Sequence, residues 1–398
     1  MYDLLIVGGG LGGASLGKAM AERGARVLIV EREREFRDRV RGEGMHPWGV
    51  VEAERLGILK PLLDSCGHSA RWWSVYAGPR LVFRRDLVAT TASAVGALNF
   101  YHPAMQQALL DAAGAAGAEI RRPAEVAEVL PGVPPVAVVR SYGRQERLQA
   151  RLIVAADGRT SRARAWAGLP TRRDPECLAV TGVLHAGLSL PDDTVQMLGN
   201  WSRGESVIIF PQGGGRFRSY LLYRREGALR PLAGARHAED FLAACRQTGA
   251  PPEWFASAET VGPLASFDAA DRWVEHPYRA GIVLIGDAAA ASDPCFGCGL
   301  SLTLRDVRVL HDRLLAATDW DAAAHAYADD HDRYYGALRT IIGWRRELYF
   351  EGGREAEAHR ARAFPRLAQE PARVPDLLGL GPDAPSDEAA RRRFLGED

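Results

Sequence analysis

The chain has 398 residues with 50 basic and 50 acidic side chains, so its formal net charge is zero. This balance gives no electrostatic footprint for nucleic acid or an anionic membrane surface, and neither is expected as a partner. Five cysteines are too few for a disulfide framework, and no apolar run reaches the roughly 18 residues of a membrane span. No secretory signal precedes the first apolar strand, so we expect a cytoplasmic protein, either a monomer or a homodimer.

The first predicted element is a buried parallel strand, residues 4–7, which leads into the glycine-rich segment V-G-G-G-L-G-G at residues 7–13. Gly8 permits a tight turn, Gly10 lets the backbone approach a pyrophosphate, and Gly13 lets helix and strand pack closely. The helix that follows presents unpaired N–H groups and a positive dipole end to that pyrophosphate. The segment therefore predicts a dinucleotide site.

A second strand, residues 26–30, ends at Glu31, which lies roughly 20 residues beyond the glycines, as the dinucleotide fingerprint requires. A carboxylate at this position accepts hydrogen bonds from ribose hydroxyls and repels a 2′-phosphate. NADP is therefore disfavoured as the dinucleotide at this site.

Two segments of a different texture interrupt the nucleotide-binding pattern. Residues 69–98 are rich in aromatic and β-branched side chains, and residues 175–273 contain alternating runs divided by three glycines at 213–215. Both patterns predict antiparallel strands. We therefore expect a second, mostly β domain that packs over the first.

Two more buried strands complete the predicted parallel sheet. Residues 152–156 end at Asp157 and Gly158, within A-D-G-R-T-S-R-A-R, and residues 281–285 end at Gly286 and Asp287. Asp287 thus lies at the C-terminal edge of the sheet, where ligands of doubly wound folds bind. Downstream, residues 294–299 precede an apolar helical pattern and provide a second helix N-terminus for an electron-rich ligand edge. A nicotinamide dinucleotide needs one such site, whereas a longer FAD that spans the sheet explains two.

The three glycine-containing segments, in this order and spacing, resemble those of the class A flavin-dependent monooxygenases with the para-hydroxybenzoate hydroxylase fold. The resemblance covers roughly residues 1–315. It implies that Glu31 and the first glycines hold the ADP half, that Asp287 binds the ribityl chain, and that residues 294–299 lie against the flavin ring. Ala289 and Ala290 depart from the family, because many members have His in this stretch.

The resemblance implies further contacts with the cofactors. Arg39 and Arg41 would lie near FAD and the path of NADPH, and Asp157, Gly158 and Arg164 belong to a motif tied to both pyrophosphates. His102 stands where many members have an arginine that contacts FAD. The full set implied in FAD binding is Gly8, Gly10, Leu11, Gly13, Glu31, Arg32, Arg39, Arg41, His102, Gln106, Asp157, Gly158, Arg164, Gly286, Asp287, Pro294, Gly297, Cys298, Gly299 and Leu300.

The activity that the resemblance implies is that of an FAD-dependent monooxygenase that consumes NAD(P)H. It would activate molecular oxygen as a flavin hydroperoxide and insert one oxygen atom into a hydrophobic small molecule that is aromatic or carries an alkene. The catalytic candidates are Arg41, Pro294 and His46, and for His46 acid–base chemistry and a structural contact both fit the sequence.

Several points stay open at the level of sequence. Hydroxylation and epoxidation are equally compatible with the chain, and so are NADH and NADPH. Halogenation is not expected, because no W-x-W-x-I-P segment typical of tryptophan halogenases is present. Two alternative functions remain: a reductase that saturates alkenes, similar to geranylgeranyl reductases, and a flavin-binding protein without enzymatic activity.

The predicted fold class is α/β (α+β overall), a Rossmann-like FAD-binding domain with an inserted antiparallel β-sheet domain and C-terminal helices. The FAD-binding domain takes residues 1–70, 98–170 and 275–315, and the substrate-binding sheet takes residues 71–97 and 175–274. Residues 316–398 form a helical segment and a tail. Beyond Gly352 this tail is polar and interrupted by proline, a composition typical of loosely ordered chain.

The substrate cavity is predicted between residues 294–299 and the inserted sheet, because ligand pockets favour domain interfaces. Its expected apolar lining is Trp48, Phe210, Tyr223 and one of Trp72 and Trp73, since neighbouring strand residues face opposite sides. Cys295-x-x-Cys298 has the spacing of a redox dithiol. No second dinucleotide fold accompanies it, so two small residues that fill a tight loop are favoured. No spacing typical of metal ligands occurs.

Overall fold

The computed structural model describes residues 1–398 and confirms the mixed α/β fold class. Two eight-stranded sheets dominate, accompanied by two three-stranded ones. In chain order the strands are β1 (Tyr2–Val7), β2 (Val27–Val30), β3 (Gly44–Met45), β4 (His68–Ala70), β5 (Trp72–Ala77), β6 (Arg80–Asp86), β7 (Ala97–Asn99), β8 (Glu119–Arg121), β9 (Glu125–Leu130), β10 (Val136–Ser141), β11 (Arg144–Ala155), β12 (Arg172–Arg173), β13 (Leu178–Ala186), β14 (Thr194–Asn200), β15 (Glu205–Pro211), β16 (Arg216–Arg224), β17 (Glu259–Thr260), β18 (Ala265–Asp268), β19 (Arg272–Trp273), β20 (Tyr278–Arg279), β21 (Ile282–Leu284) and β22 (Ala290–Ala291).

Most helices cover the first large sheet or form the C-terminal part of the chain. None of them is both long enough and apolar enough to cross a membrane. In chain order they are α1 (Leu11–Ala21), α2 (Pro47–Arg55), α3 (Leu59–Ser65), α4 (Leu87–Thr90), α5 (His102–Ala115), α6 (Arg162–Trp166), α7 (Ala238–Thr248), α8 (Gly299–Ala316), α9 (Trp320–Phe350), α10 (Arg354–Gln369) and α11 (Glu388–Leu395).

The first large sheet, called here the nucleotide sheet, has a parallel core in the order β21-β11-β1-β2-β8. Its strands are continuous apolar runs because both of their faces are buried. Leu4 and Ile6 of β1 pack against α1, α5 and α8, whereas Leu5 and Val7 pack against β9, β10 and α6 on the other face. The parallel arrangement places the C-terminal ends of β1, β2, β11 and β21 at one edge.

The second large sheet, called here the roof sheet, has the order β17-β13-β16-β15-β14-β5-β6, with β18 also paired to β13. It joins strands from both inserted segments. Most neighbours are antiparallel, as predicted, but β5 and β14 run parallel. These two strands come from different insertions and share no hairpin, so connectivity does not force them to be antiparallel. One face packs against α7, and the other faces the nucleotide sheet and the C-terminal helices.

The tail beyond Gly352 is helical, so the expectation of loose order is wrong. It forms α10 and α11, which pack against the end of α9. Ala363, Phe394 and Leu395 are fully buried there. The tail is polar on average, but these few apolar side chains lie on one face of each helix, and that face is sufficient for packing.

Candidate active site

A single cavity of about 1420 Å³ extends from the C-terminal edge of the nucleotide sheet, past residues 294–299, to the inner face of the roof sheet. This volume exceeds the ~300–1,000 Å³ of an ordinary small-molecule pocket, so the cavity has room for a dinucleotide and a second ligand. The residues predicted for the site that line it are Gly8, Gly10, Leu11, Glu31, Arg32, Arg39, Arg41, His46, Trp73, His102, Gln106, Asp157, Gly158, Phe210, Gly286, Asp287, Pro294, Gly297, Gly299 and Leu300.

The glycine-rich turn after β1 is built for close backbone approach. Gly8 has φ +102°, and a Cβ on it would lie 2.6 Å from the Ala156 carbonyl oxygen. A Cβ on Gly13 would lie 2.0 Å from the Gly8 carbonyl oxygen, so Gly13 serves helix–strand packing and does not line the cavity. A Cβ on Gly10 would meet only the Gln106 amide nitrogen, at 3.4 Å, and would project into the cavity. The first N–H groups of α1 are therefore accessible to an anionic ligand.

Glu31 lies at the end of β2 with only 6% of its surface exposed. One carboxylate oxygen accepts a hydrogen bond from the Gly9 N–H at 2.7 Å, and the other accepts one from the Glu33 N–H at 2.7 Å. Each carboxylate oxygen can accept more than one bond, so both keep capacity for ribose hydroxyls. The same side chain thus ties the glycine-rich turn to β2 and faces the cavity.

Asp287 lies at the other end of this edge and forms neither a hydrogen bond nor an ion pair with the protein. Burial raises the pKa of its carboxyl group, and the charges of Arg41 and Arg159 oppose this rise. An acid without a protein partner on a cavity wall is suited to ligand hydroxyl groups. Glu31 and Asp287, with the glycine cradle between them, fit a dinucleotide whose sugar portions lie along the sheet edge.

The 294–299 loop is held from behind by two buried side chains. Asp293 accepts a hydrogen bond from the Cys295 N–H at 2.9 Å, and His46 donates from Nε2 to the Phe296 carbonyl oxygen at 2.9 Å. Burial lowers the pKa of His46 to about 4, so its ring is neutral near pH 7. The geometry favours the structural alternative for His46: it lines the cavity while orienting the loop that precedes α8.

The two cysteines of this loop are buried thiols. Burial raises the pKa of Cys298 to about 12 and that of Cys295 well above the ordinary thiol value. The Cys298 Sγ donates to the Phe296 carbonyl oxygen at 3.4 Å and does not line the cavity. Redox dithiols require an accessible thiolate, so this environment favours small residues that fill a tight loop.

Two members of the Asp157 motif are engaged within the protein. Asp157 lines the cavity but accepts hydrogen bonds from the backbone N–H groups of Arg162 and Ala163, at 2.8 and 3.1 Å, and so caps α6. Arg164 lies off the cavity wall, so its predicted contact with a cofactor is not supported. Its guanidinium donates to the carbonyl oxygens of Ala288, at 3.0 Å, and Arg159, at 3.2 Å. It therefore braces the segment that carries Asp287.

The basic residues near β2 differ in whether an acidic or carbonyl group of the protein already binds them. Arg39 forms an ion pair with Glu33 at 2.7 Å, whereas Arg41 has no carboxylate within 4.0 Å. His102 donates from Nδ1 to the Gly42 carbonyl oxygen at 2.7 Å, and burial lowers its pKa to about 4. It is therefore neutral and does not supply the positive charge of the arginine that the family resemblance implied at this position.

The roof sheet contributes Trp73 and Phe210 to the cavity, with their ring centroids 6.4 Å apart. Tyr223 was predicted beside them but lies on the opposite face. In the antiparallel register Phe210 stands opposite Arg218, and Tyr223 stands opposite Glu205. Residues 218, 220 and 222 therefore share the face of Phe210, and Tyr220 takes the place expected for Tyr223.

Two predicted tryptophans also lie outside the cavity. Trp72 alternates with Trp73 and faces away, with the Arg84 guanidinium 4.3 Å above its ring. Trp48 lies on α2, where its ring contacts the segment around Gly381 and is 5.7 Å from the Arg305 guanidinium. Sequence alone gave no sign that C-terminal residues would cover Trp48.

Comparisons with known proteins identify the family of the chain. The family model described as an FAD binding domain matches residues 1–334. Ubiquinone hydroxylase UbiL of Rhodospirillum rubrum is 31% identical over 356 residues, which cover 79% of this chain and 72% of that protein. A digeranylgeranylglycerophospholipid reductase of Methanosarcina mazei is 26% identical over 310 residues, covering 75% of this chain and 71% of the relative.

The chain belongs to the FAD-binding family of flavin-dependent monooxygenases. Among solved structures, p-nitrophenol 4-monooxygenase PnpA of Pseudomonas putida DLL-E4 superposes with a TM-score of 0.78 at 17% identity, covering 93% of this chain and 94% of PnpA. That similarity shows the shared fold.

In this flavin-dependent monooxygenase the turn that carries Asp287 is held by a residue that the sequence analysis missed. Asp306 of α8 is fully buried. Its carboxylate accepts hydrogen bonds from the Gly286 N–H at 2.7 Å, from His331 Nδ1 at 3.1 Å and from the Tyr334 hydroxyl at 2.6 Å. The sequence signal for Asp306 was its position on the apolar face of the predicted helix, four residues from both Leu302 and Leu310.

A buried charged cluster beneath the roof sheet was also missed. Arg218 is fully buried and contacts Asp38 at 2.7 Å and Glu43 at 3.2 Å. The Tyr220 hydroxyl donates to the other oxygen of Glu43, and both of these side chains line the cavity. Burial raises the pKa of Glu43 to about 7. The sequence signal for this cluster was Arg218, which lies two residues before Tyr220 in β16 and therefore on the same face of the strand.

The third feature that was missed is the contribution of the C-terminal helices. Residues from Arg345 onward, called here the C-terminal wall, close the cavity on the side away from the nucleotide sheet. The wall consists of Arg345, Tyr349, Phe364, Leu367, Ala368, Pro371, Ala372, Arg373, Val374, Pro375, Asp376, Leu377, Leu378, Leu380, Pro385, Ala390 and Arg393.

Proposed function

We propose that the protein uses NAD(P)H and molecular oxygen to insert one oxygen atom into a hydrophobic small molecule that is aromatic or carries an alkene. The observation that carries this proposal is the single continuous cavity, which joins the dinucleotide edge at Glu31 and Asp287 to an apolar chamber under Trp73 and Phe210. A protein that only stored flavin would have no need for this second chamber. Bound FAD would supply electron transfer and oxygen activation, and the protein would supply position, charge and shielding.

The residues on the nucleotide edge would hold the cofactor along its length. Glu31 would accept hydrogen bonds from the ribose, the N-terminus of α1 would bind the pyrophosphate, and Asp287 would bind the ribityl hydroxyl groups. The helix α8 begins at Gly299 and points its positive dipole end towards the 294–299 loop. This end would stabilise negative charge on a bound flavin ring.

Access of the nicotinamide would depend on a free cation rather than on a second nucleotide fold. Arg41 lines the cavity and has no carboxylate within 4.0 Å. It is therefore available to a phosphate or carboxamide group of a transient NAD(P)H. Arg39 is held by Glu33 and is less available.

The apolar chamber would exclude water from the reacting atoms. Trp73, Phe210 and Tyr220 pack edge to face from the roof sheet, and Phe296 of the loop also lines the cavity. Water exclusion matters for oxygen transfer, because exposure of the activated oxygen would release it as hydrogen peroxide.

The test is NADPH or NADH oxidation by the FAD-loaded protein across a panel of aromatic and alkene-bearing compounds, with the mass of each product measured. We expect at least one compound to stimulate oxidation in air and to gain one oxygen atom. No stimulated oxidation, or stimulated oxidation without an oxygenated product from any compound, would contradict the proposal.

A reductase that saturates alkenes is the second candidate, because one relative is a digeranylgeranylglycerophospholipid reductase. The same panel separates the two functions when it is repeated without oxygen. A reductase would still turn over and would add two hydrogen atoms to an alkene, whereas the proposed monooxygenase would yield no product.

A further inference from the structure

Arg345 is an unpaired cation inside the apolar part of the cavity. It extends from α9 and lines the C-terminal wall together with Tyr349 and Phe364. One guanidinium nitrogen donates to the Pro375 carbonyl oxygen at 2.8 Å, and its Nε is buried without a hydrogen-bond partner. No carboxylate lies within 4.0 Å of the guanidinium. A buried donor of this kind is costly unless something else satisfies it.

The acid that could neutralise Arg345 from the same wall is already engaged. Asp376 forms a two-pronged ion pair with Arg85 of β6, at 2.6 and 2.9 Å, and also accepts the Gly379 N–H at 2.9 Å. Another arginine of the wall, Arg373, is held by Asp398 at 2.7 Å. Arg345 therefore keeps an unpaired positive charge, whereas Asp376, Arg85 and Arg373 are paired.

The position of Arg345 places this charge near the reaction chamber. Burial dominates the pKa of both His46 and Cys298, and the charge of Arg345 also acts on both groups. Cys298 belongs to the 294–299 loop, and His46 donates a hydrogen bond to the Phe296 carbonyl oxygen of that loop. Arg345, on the C-terminal wall, is therefore close enough to this loop for its charge to act there.

We propose that the substrate is a hydrophobic molecule that carries a carboxylate and that Arg345 binds this carboxylate. The inference rests on the proposed function, because it assigns the substrate class of the same cavity. The terminal nitrogens of the planar guanidinium can present N–H groups to the oxygens of a carboxylate. The apolar side chains around it would hold the body of the molecule.

Arginines at the outer rim of the cavity also favour an anionic ligand. Arg80 of β6 and Arg393 of α11 line the cavity and have no carboxylate within 4.0 Å. Arginines at a cavity mouth raise the local concentration of anions. An anionic substrate would therefore meet unpaired cations from the rim to Arg345.

The experiment compares carboxylates with their neutral primary amides as ligands of the FAD-loaded protein. The probes are naphthoate with naphthamide and anthracene carboxylate with its amide, and calorimetry measures binding without NAD(P)H. We expect each carboxylate to bind at least about 10-fold more tightly than its amide, the effect of a charge-assisted pair. Arg345→Gln should remove this preference and leave affinity for the amides nearly unchanged, and Arg345→Lys should keep part of it.

Arg333→Gln is the matched control, because Arg333 lies on the same helix, pairs with Asp330 and does not line the cavity. It should keep the full preference for carboxylates. Equal affinity for acid and amide in the unmodified protein, no binding of any probe, or a preference that survives in Arg345→Gln would each overturn the inference. An equal loss of affinity for acids and amides in Arg345→Gln would assign Arg345 only to holding Pro375 and would also overturn it.

The binding result does not depend on turnover. A preference for carboxylates without any oxygenated product would reject the proposed function and keep the ligand class. Oxygenation of neutral compounds without a preference for carboxylates would keep the proposed function and reject the ligand class.

Discussion

Replacement of Glu31 by alanine tests the dinucleotide edge most sharply, because this carboxylate has two separable tasks. Within the protein it accepts hydrogen bonds from the N–H groups of Gly9 and Glu33, each at 2.7 Å. In a complex with FAD it would also accept a hydrogen bond from the ribose. Loss of that charge-assisted bond costs about 1.5–3 kcal/mol, which lowers FAD affinity about 10- to 150-fold.

The Glu31→Ala change also acts on the protein without FAD. The Gly9 N–H becomes a buried donor without a partner, which should lower the free energy of unfolding by about 1–3 kcal/mol. Glu31→Gln keeps one acceptor oxygen. Its losses of FAD affinity and of unfolding free energy should therefore both lie near the lower ends of these ranges. The two effects are measured separately, by urea denaturation of the FAD-free protein and by fluorescence titration with FAD.

Glu35→Ala is the control, because Glu35 is an exposed acid in the same segment and does not line the cavity. It should change neither quantity. If Glu31→Ala lowers stability but binds FAD as the unmodified protein does, Glu31 serves only the turn and the ribose assignment is wrong.

Three further changes probe the rest of the site. Asp306→Ala leaves the Gly286 N–H and two side-chain donors unsatisfied, so the free energy of unfolding should fall by about 3–5 kcal/mol; a fall no larger than that of Asp312→Ala, an exposed site on the same helix, would show that the network contributes little. Trp73→Ala should admit water and raise the fraction of NADPH oxidation that ends as hydrogen peroxide; Trp72→Ala on the opposite face should not, and equal fractions in both variants would place the chamber elsewhere. Glu43 has its pKa raised from 4.5 to about 7, so the stability that its protonated form contributes is present below pH 4.5 and is lost as the pH rises through 7. Glu43→Gln should therefore flatten the decline in unfolding free energy across this window, by up to ~1.4 kcal/mol per pH unit, and an unchanged decline would mean that Glu43 is ionised throughout.

The nucleotide edge was the part of the site most open to sequence reasoning. Its elements are local: strand 4–7, the glycine-rich turn and Glu31 follow each other within a few tens of residues. Their chemistry also constrains residue type, because a tight turn needs glycine and ribose recognition needs a carboxylate. Asp287 was found by the same logic, from its position where a buried strand ends.

The roof sheet was predictable as a sheet but not in its register. Alternation along β16 fixes that Tyr220 and Tyr223 face opposite sides, yet only pairing with β15 fixes which of them shares a face with Phe210. The prediction that Trp48 lines the cavity was wrong for a different reason. It lies on α2, and its cover comes from the segment around Gly381, more than three hundred residues away in the chain.

The C-terminal wall shows why average composition was a poor guide. The chain beyond Gly352 is polar overall, and the prediction of loose order followed from that average. Ala363, Phe394 and Leu395 nevertheless give α10 and α11 one apolar face each, and α9 provides the surface that covers them. Long-range packing of this kind leaves only a weak trace in sequence, so the sequence did not predict that Arg345 would line the cavity.

Turnover under isotopically labelled molecular oxygen tests the central claim most directly. The FAD-loaded protein is supplied with NADPH and with naphthoate, anthracene carboxylate and their alkene-bearing analogues. The masses of the products are then measured by mass spectrometry. We expect at least one product to carry a single labelled oxygen atom and to be absent when oxygen is removed. Products that gain two hydrogen atoms and no label, formed equally well without oxygen, would contradict the assignment as a monooxygenase.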